Sequence, residues 1–248
     1  MTWYSIIVPM TDVKQRTPPT SRRGRAQRTR LKIAAAAAAL FASEGYAATT
    51  IDAVAKRAGV AVQTVYFVFH TKPQLLVESM KIAGGGAEGA SEVTARAWIQ
   101  EVVAAADGPR RLALIAEHGS KIYQRLGPLW PSVLAALGEP DVRAAWEDIV
   151  RGRREGMARI TGLMAARGEL RPGLDPQLAA DILSGIHRHE MYLAFTGENG
   201  WSFDRYRAWT FAALCHELLP ADVAAAALAP GSPATVGLDL AAEVQRFA

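Results

Sequence analysis

Apolar residues recur at intervals of three and four along most of the chain, which is the spacing of an amphipathic α-helix. A first helix is predicted from Thr29 to Gly45, where the glycine suits a C-terminal cap. Its apolar face consists of Ile33, Ala37, Leu40 and Phe41. Longer segments with this spacing, bounded by proline and glycine, are residues 109–126, 140–168, 175–195 and 202–219. Because no segment alternates as a half-buried strand does, the sequence predicts an all-α protein.

The run Val65–Phe69 is an exception, because its β-branched and aromatic residues favour a strand by propensity alone. If the run is helical, with about 100° between residues, its side chains separate into two faces. The apolar face holds Val62, Val65 and Phe69. The opposite face holds Gln63, Thr64 and Phe67. The sequence therefore predicts a short helix that buries one face and exposes the other.

Helix start and stop signals surround this run. Thr49 or Thr50 can cap a preceding helix, which the glycine within Ala58–Val60 ends. Thr71 and Pro73 are typical of the start of a following helix. Two helices separated by a glycine-containing turn, the second exposing polar residues, predict a helix-turn-helix.

Charge is divided unevenly along the chain. Residues 14–81 contain twelve Lys and Arg against three Asp and Glu, whereas the remaining residues carry a net negative charge. A basic N-terminal third on an acidic body indicates a polyanionic partner such as nucleic acid. The alternative is a solvated basic segment that has no partner.

Composition divides the chain into four segments. Residues 1–28 are rich in Thr, Pro, Ser and Arg and are expected to form a basic disordered arm. Residues 29–82 are assigned to the helix-turn-helix domain and residues 87–219 to a C-terminal helical domain. Residues 220–248 are expected to be a poorly packed Ala/Pro-rich tail. The sequence GGGAEG at residues 84–89 fits a dinucleotide-binding pattern but follows a helix instead of a strand, so it is predicted to be a flexible joint.

Several kinds of chemistry are excluded by the residues available. A single cysteine, Cys215, excludes an internal disulfide framework and a cysteine-rich zinc site. His187, His189 and Glu190 resemble metal ligands, but helix positions two apart diverge by about 200°, so no metal site is predicted. No nucleophile elbow or phosphate loop appears, so neither an enzyme nor a cofactor is predicted. No apolar run reaches the roughly 18 residues of a membrane helix, and a soluble cytoplasmic protein without a membrane partner is predicted.

The segment Thr49–Leu76, TTIDAVAKRAGVAVQTVYFVFHTKPQLL, resembles the DNA-binding domain of the TetR family of bacterial transcriptional regulators. It matches the family's capped helix, A-G-V turn, T-V-Y recognition helix, and Lys followed by a Leu-rich helix. The segments LRPGLDPQLAADIL (170–183) and GWSFDRYRAW (200–209) are similar to the C-terminal domains of one large branch of the family. The chain departs from the usual family residues at Ala61, Val68 and Pro73.

The candidate DNA-binding residues are Arg30, Thr49, Thr50, Gln63, Thr64, Tyr66, Phe67, His70 and Lys72. Gln63 and Thr64 are candidates for reading base edges, since glutamine pairs with adenine in the major groove. The resemblance implies that Tyr66 and Lys72 contact backbone phosphates, which position the protein without specifying a sequence. Phe67 is expected near the groove wall, where it can contact a thymine methyl group.

Two of these assignments have alternatives. His70 either contacts a phosphate or only links the third and fourth helices. The arginines between residues 22 and 30, Arg30 included, either enter the minor groove or act by diffuse electrostatic attraction.

The resemblance also implies ligand binding and dimerisation by the C-terminal domain. The candidates for lining an apolar ligand cavity are Trp98, Tyr123, Trp130, Trp146 and Met157. Ordinary core packing is the alternative for each of them. Two helices are expected to pair with their mates in a four-helix bundle. The candidate interface residues are Leu178, Ile182, Ile186, His189 and Leu193 on the first helix and Tyr206, Thr210, Leu214 and Leu218 on the second.

Together, these observations predict an N-terminal helix-turn-helix DNA-binding domain followed by a C-terminal helical ligand-binding and dimerisation domain. The predicted function is that of a homodimeric transcriptional repressor, released from double-stranded operator DNA by an apolar or aromatic small molecule. One alternative is a helical DNA-binding protein that needs no ligand, which the lack of a ligand site would favour. The other is an enzyme on a borrowed fold, which the lack of sequence-specific DNA binding would favour.

Overall fold

The fold was obtained as a computed structural model, which describes residues 22–85 and 97–247. All regular secondary structure within these ranges is helical, as the sequence predicts. The α-helices are α1 (Arg22–Ala48), α2 (Ile51–Ala58), α3 (Val62–Phe69), α4 (Lys72–Gly85), α5 (Ala97–Ala104), α6 (Gly108–Leu126), α7 (Trp130–Ala135), α8 (Pro140–Ala166), α9 (Pro176–Ile186), α10 (His189–Leu193), α11 (Phe203–Leu218), α12 (Ala221–Leu228) and α13 (Ala241–Val244). A π-helical turn spans Ala194–Glu198, and short 3₁₀ segments span Gly127–Leu129, Pro233–Thr235 and Gln245–Phe247. None of the described helices combines the length and apolarity that a membrane span requires.

Helix α1 begins at Arg22, so the predicted start at Thr29 is wrong and residues 22–28 of the predicted arm are helical. Arg, Ala and Gln, which are good helix formers, make up most of this stretch and extend the helix. Residues 1–21 of the predicted arm and residues 86–89 of the predicted joint lie outside the described residues. The regular part of α1 stops at Gly45, as predicted, because its φ of 81° and ψ of 169° are accessible mainly to glycine.

The caps of the helix-turn-helix are those that the sequence predicts. The Thr50 hydroxyl accepts a hydrogen bond from the Ala53 amide at 3.1 Å at the start of α2. Gly59 ends α2 in the left-handed conformation with a φ of 61°. The Thr71 hydroxyl accepts from the Gln74 amide at 3.2 Å and caps the start of α4. These local signals fix where the helices begin and end.

The strand-like run Val65–Phe69 is helical, because tertiary packing outweighs its local propensity. Val65 and Phe69 are almost completely buried against the neighbouring helices. Burial of such side chains stabilises the fold by roughly 1.5–3 kcal/mol each, whereas strand propensities span only about 1 kcal/mol. The residues that look like a strand thus anchor α3.

A first hydrophobic core joins the helix-turn-helix to part of the C-terminal domain. It includes Phe41 of α1 and Leu75 of α4 together with Trp130 of α7 and Val142 of α8. The Ser132 hydroxyl in α7 donates a hydrogen bond to the Phe41 carbonyl oxygen at 2.7 Å. Elements that the sequence assigns to different domains therefore share one core.

A second core lies among α5, α6, α8, α9 and α11, and the C-terminal segment packs into it. The buried apolar residues of this segment are Ala224, Ala227, Leu228, Ala234, Leu240 and Val244. Arg110 of α6 donates to the carbonyl oxygens of Ala234 at 3.1 Å and Val236 at 2.8 Å. The prediction of a poorly packed tail is therefore wrong for residues 220–247, because its leucines and alanines cover an apolar face of α6 and α11.

A buried arginine ties the same elements together. Arg207 of α11 lies 2.9 Å from the Glu117 carboxylate of α6 and 2.8 Å from that of Asp204. Asp239 of the C-terminal segment approaches the Arg207 guanidinium to 3.6 Å. Arg207 keeps its pairs with Glu117 and Asp204 without the segment, so the exposed Asp239 adds only a weak attraction for the segment.

Leu240→Ala is expected to lower the free energy of unfolding by about 2–5 kcal/mol, because it leaves a cavity in the second core. Val236→Ala in the same segment is the matched control, because Val236 is 67% exposed and its truncation should change stability by less than about 0.5 kcal/mol. Denaturant unfolding at one fixed protein concentration measures both variants. Equal stability of the two would show that the segment does not dock in solution.

Candidate functional site

Helix α3 presents large side chains to solvent. Phe67 is 83% exposed and Tyr66 is 50% exposed, and the neighbouring Gln63 is also exposed. Exposed aromatic residues grouped in this way mark an interaction surface. The predicted division of α3 into a buried and an exposed face is confirmed for Val65, Phe69, Gln63 and Phe67, whereas Thr64 is half-buried.

Arg30 holds the end of α3, and its predicted contact with DNA stays a prediction. Its guanidinium pairs with the Glu78 carboxylate of α4 at 2.9 Å and donates to the Val68 carbonyl oxygen at 3.4 Å. The same group lies 4.9 Å from the centre of the Phe69 ring. Its donors are used to join α1, α3 and α4, which positions the recognition helix.

Thr49 is wrongly predicted as a DNA contact. Its side chain is buried, and the hydroxyl donates to the Gly45 carbonyl oxygen at 2.8 Å. Thr50 is exposed at the start of α2, where amide groups point outwards. Lys72 is half-buried, and its ammonium donates to the Ala47 carbonyl oxygen at 3.2 Å. Burial lowers the pKa of Lys72, and its predicted contact with a backbone phosphate stays a prediction.

His70 stands between α3 and α4 with a φ of 57°, which is unusual for a residue other than glycine. Its amide donates to the Tyr66 carbonyl oxygen at 2.8 Å and its side chain is exposed. The geometry supports a linking role and leaves the imidazole accessible. Exposed basic side chains elsewhere in the helix-turn-helix are Arg25, Arg28, Lys32, Lys56 and Arg57.

A second group of functional candidates forms an aromatic–histidine cluster, which we define as Tyr123, Trp130, His187, His189 and Tyr192. The Tyr123 ring lies 4.9 Å from that of His187 and 5.6 Å from that of His189. The Trp130 ring lies 4.4 Å from His189, and Trp146 packs against Trp130 at 4.8 Å. Rings from α6, α7, α8 and α10 therefore meet at one place.

The two histidines converge because the helix that carries them is broken. The continuous helix predicted over residues 175–195 is wrong, since α9 ends at Ile186 and α10 begins at His189. His187 has a non-helical φ of −95° and ψ of 78°, and the divergence of about 200° expected for a continuous helix does not apply. No group of three His, Cys, Asp or Glu that could hold a metal ion occurs within the described residues.

Gly119 of α6 provides the space for the His187 ring. A Cβ atom at position 119 would lie 1.9 Å from His187 Cε1, which is far inside van der Waals contact. The ring therefore fills a notch that only glycine leaves open. The Tyr123 hydroxyl, one turn further along α6, donates to the His187 carbonyl oxygen at 2.9 Å.

Several polar atoms in and beside this cluster have no hydrogen-bond partner within the described structure. They are both ring nitrogens of His189, Nε2 of His187 and Nε of Arg153. Burial, together with the nearby Arg153 charge, lowers the pKa of His187 to about 3 and that of His189 to about 4. Burial raises the pKa of Tyr123 to about 12. Both histidines and the tyrosine are thus uncharged at neutral pH.

Three of the five predicted pocket residues, Tyr123, Trp130 and Trp146, come together at this cluster. Met157 is buried in the second core, and Trp98 stacks on His118 at 5.8 Å. The sequence analysis missed His187 and Arg153 as members of this region. The one signal that could have indicated them is Gly119 within an otherwise regular helix, which suggests close approach of another group.

The predicted dimer surface is only partly available. Tyr206, Thr210, Leu214 and Leu218 are completely buried within the single chain, so their assignment to the interface is wrong. Leu214 and Leu218 belong to the second core, and the Tyr206 ring packs on Tyr192 at 5.3 Å. The half-exposed residues of α11 include Trp209 and Ala213. His189 is buried in the cluster, and Leu193 is half-buried beside the first core. On α9, Leu178 is 52% exposed, and Ile182 and Ile186 are half-exposed.

Stability should fall in acid because His187 and His189 resist protonation in the folded state. Their folded pKa values lie below the ordinary value of 6.5, so stability is complete above pH 6.5 and decreases as the pH falls towards 4. At pH 5 the expected decrease is about 2 kcal/mol per histidine. Between pH 7.5 and pH 5, the measured free energy of unfolding should therefore fall by about 4 kcal/mol in the wild type and by about 2 kcal/mol in His189→Phe, which keeps only His187. The exposed His216→Gln is the control, and a decrease of wild-type size in His189→Phe would contradict the assignment.

Comparisons with known proteins match the helix-turn-helix and the C-terminal helices separately. Residues 33–78 match the model described as "Bacterial regulatory proteins, tetR family", and residues 112–198 match "Tetracyclin repressor-like, C-terminal domain". The two segments together make up more than half of the chain. No curated protein sequence matches the chain with significance.

Several solved structures have the same fold, and the match covers nearly the whole length of each of them. A putative TetR-family transcriptional regulator from Mesorhizobium loti is 25% identical, with a TM-score of 0.59 over 77% of this chain and 95% of that one. The TetR regulator tylp from Streptomyces fradiae is 25% identical, with a TM-score of 0.55 over 90% and 97%. A putative transcriptional regulator from Saccharomonospora viridis in complex with choline is 20% identical, with a TM-score of 0.62 over 78% and 98%. Since the two family models also match in the order that the fold shows, DNA-binding helices first, the chain belongs to the TetR family of DNA-binding transcriptional regulators.

Proposed function

We propose that this protein is a homodimeric repressor that reads its operator with α3 and is released from it by a small molecule bound in the C-terminal domain. The observation that carries the proposal is the exposed face of α3, where Phe67 and Tyr66 stand beside Gln63. A helix-turn-helix protein places this helix in the major groove. Sequence-specific binding to DNA fragments selected from a random pool tests the proposal.

The contacts to DNA divide into those that specify and those that position. Gln63 is suited to an adenine edge, and Phe67, about one turn further along α3, is suited to a thymine methyl group. The Tyr66 hydroxyl and the exposed His70 ring are suited to phosphates on either side. The exposed Thr50 marks the amide-rich start of α2, which also attracts a phosphate.

Ligand release requires a connection between the C-terminal domain and α3. Tyr123 of the aromatic–histidine cluster lies two residues before Arg125, which donates to the carbonyl oxygens of Ala83 at 2.9 Å and Gly84 at 3.0 Å. These carbonyls close α4, whose Glu78 pairs with Arg30. Movement of α6 is therefore expected to displace α4 and, through the Arg30 contacts, the end of α3.

The ligand site is proposed to be the aromatic–histidine cluster. The related regulator from Saccharomonospora viridis was solved with choline, a small molecule of low mass. In this chain the cluster is the place where predicted pocket residues meet buried polar atoms without partners. A site of rings with a few polar groups is typical of small-molecule recognition.

The dimer surface is proposed to combine α9 and α11 in a four-helix arrangement with their mates. Leu178 and Ile182 of α9 and Trp209 and Ala213 of α11 supply partly or fully exposed apolar surface. Gly185 is exposed with no atom within 4 Å of an added Cβ, so it permits close approach of another helix. A C2 interface uses the same patch on both subunits, so each of these residues acts twice.

Gln63→Ala should weaken binding to the selected operator by about 1–3 kcal/mol without changing the salt dependence, because it removes hydrogen bonds to a base and leaves the phosphates neutralised. The double variant Lys56→Ala, Arg57→Ala should weaken binding to all DNA and flatten the salt slope by about one for each phosphate that is no longer neutralised. Gln177→Ala, an exposed glutamine on α9, is the control. Isotherms at several salt concentrations on operator and unrelated DNA measure these effects. Equal weakening on both DNAs for Gln63→Ala would contradict base reading.

Leu178→Glu and Ala213→Glu should each give monomers that bind operator weakly, because they place charges in the proposed interface. Val236→Glu introduces the same charge at an exposed apolar site outside the interface and should leave the dimer intact. Sedimentation velocity measures the oligomeric state of all three. Dimeric Leu178→Glu and Ala213→Glu proteins would place the interface elsewhere.

A further inference from the structure

The aromatic–histidine cluster contains polar groups whose hydrogen-bonding capacity is unused. His187 and His189 are both 3% exposed, so the unpartnered ring nitrogens face protein instead of bulk solvent. Buried polar atoms in folded proteins nearly always have partners, and each unpaired atom lowers stability by about 1–3 kcal/mol. Several such atoms at one place indicate that a bound group supplies the missing partners.

Arg153 of α8 identifies the charge of that group. Its Nε is buried without a partner, and Arg153 forms no salt bridge with a carboxylate in the described part of the chain. The guanidinium lies beside the cluster, where it hydrogen-bonds to Tyr123 and its charge also acts on His187, His189 and the Glu190 carboxylate. The nearby Glu190 carboxylate is already paired with Arg188 at 2.9 Å. A half-buried guanidinium without a carboxylate is suited to a bidentate pair with an anionic ligand.

The walls of the cluster define the rest of the ligand. Tyr123, Trp130, His189 and Tyr192 offer ring faces and edges, with neighbouring centroids 4.4–6.5 Å apart. Planar groups pack well against such surfaces. His189 is neutral and can donate to an oxygen atom, whereas a cationic ligand would meet Arg153. A flat anion thus satisfies the donors, and an ammonium group does not.

We propose that the aromatic–histidine cluster binds a flat aromatic carboxylic acid, with the carboxylate on Arg153 and the ring of the acid replacing the His187 ring against α6. This inference rests on the proposed function, since it names the ligand class of the proposed site. The rings fill the cluster in the present structure, so the ligand must displace a side chain. His187 is that side chain, because it sits in the notch at Gly119 and directly follows the last residue of α9.

An approach for the ligand exists on α8. An open cleft of about 580 Å³ is lined by Trp146, Val150, Arg151 and Arg154 together with two glutamates. Trp146 forms the inner wall of this cleft and packs against Trp130 of the cluster. Arginines at the rim attract an anion, and a shift of the Trp146 ring would open the way to Arg153, which lies between the rim residues in sequence.

The ligand class is tested with 2-naphthoate as the probe, compared with the isosteric 2-naphthamide and with 2-naphthylmethylamine. Quenching of tryptophan fluorescence and calorimetry measure binding to the full-length protein. We expect the acid to bind at least ten times more tightly than the amide or the amine. Arg153→Met should remove this preference, whereas Arg159→Met, the matched change at an exposed arginine of α8 outside the cleft, should keep it. Equal binding of acid and amide, no binding of the acid, or an unchanged preference in Arg153→Met would overturn the proposal.

The displaced-ring mechanism is tested without a ligand by Gly119→Ala, whose Cβ excludes the His187 ring from its notch. This variant should weaken operator binding at least fivefold, whereas Gly162→Ala, at an exposed helical glycine with nothing within 4 Å, should bind as wild type. If Gly119→Ala does not fold, His187→Ala empties the notch instead and should bind 2-naphthoate more tightly than wild type does. Wild-type operator binding in Gly119→Ala, or weaker naphthoate binding in His187→Ala, would overturn the mechanism. Specific operator binding by wild type without any naphthoate binding would refute the ligand class and leave the proposed function intact.

Discussion

The burial of Trp130 is the interaction on which the arrangement of the two functional regions depends. This side chain belongs to the core that α1 and α4 form with α7, and its ring also lies 4.4 Å from His189. Truncating a buried tryptophan costs roughly 3–5 kcal/mol, so neither side can move away without a large reduction in packing. The bond from Ser132 to the Phe41 carbonyl oxygen fixes the same junction. The DNA-binding helices and the proposed ligand site are therefore connected through one hydrophobic core.

This shared core explains how a local change can reach α3. Helix α4 is held by Arg125 at its C-terminal carbonyls and by Arg30 at Glu78 in its middle, so two points of the helix are attached to helices that pack on it. Packed interfaces tend to switch between discrete arrangements instead of deforming continuously. A coupling free energy of about 1–3 kcal/mol is typical between two sites, and the net value of one or two hydrogen bonds is of the same size. The hydrogen bonds of Arg125 and Arg30 are sufficient in number to carry such a coupling.

The sequence predicts the helices well where short-range signals decide the outcome. Thr50, Gly59 and Thr71 mark helix ends through their own hydrogen bonds and backbone preferences, and the structure has them there. Predictions fail where distant residues decide. Tyr206 looks available by periodicity alone, but it is completely buried, with its ring against those of Tyr192 and Phe195 outside α11. The break at His187 carries no proline signal, and although Gly185 lies two residues earlier, the Gly119 notch that accommodates the ring lies on another helix. Assignments of exposed surface therefore depend on information that no local window contains.

The unpaired atoms in the aromatic–histidine cluster lower the stability of the unliganded protein, and this destabilisation has a consequence for regulation. A chain selected for stability alone would replace His189 and Arg153 by apolar residues of similar size, because unpaired polar atoms oppose folding. A ligand that pairs with them recovers that free energy. It shifts the equilibrium between two states of the protein only by the difference between its binding free energies for those states. With the His187 ring in its notch, the place of the ligand ring is occupied, so binding energy becomes available only after the ring leaves. A flat acid can therefore bind only when the His187 ring has left the notch at Gly119. That same change in the cluster is the one that moves α6 relative to α4.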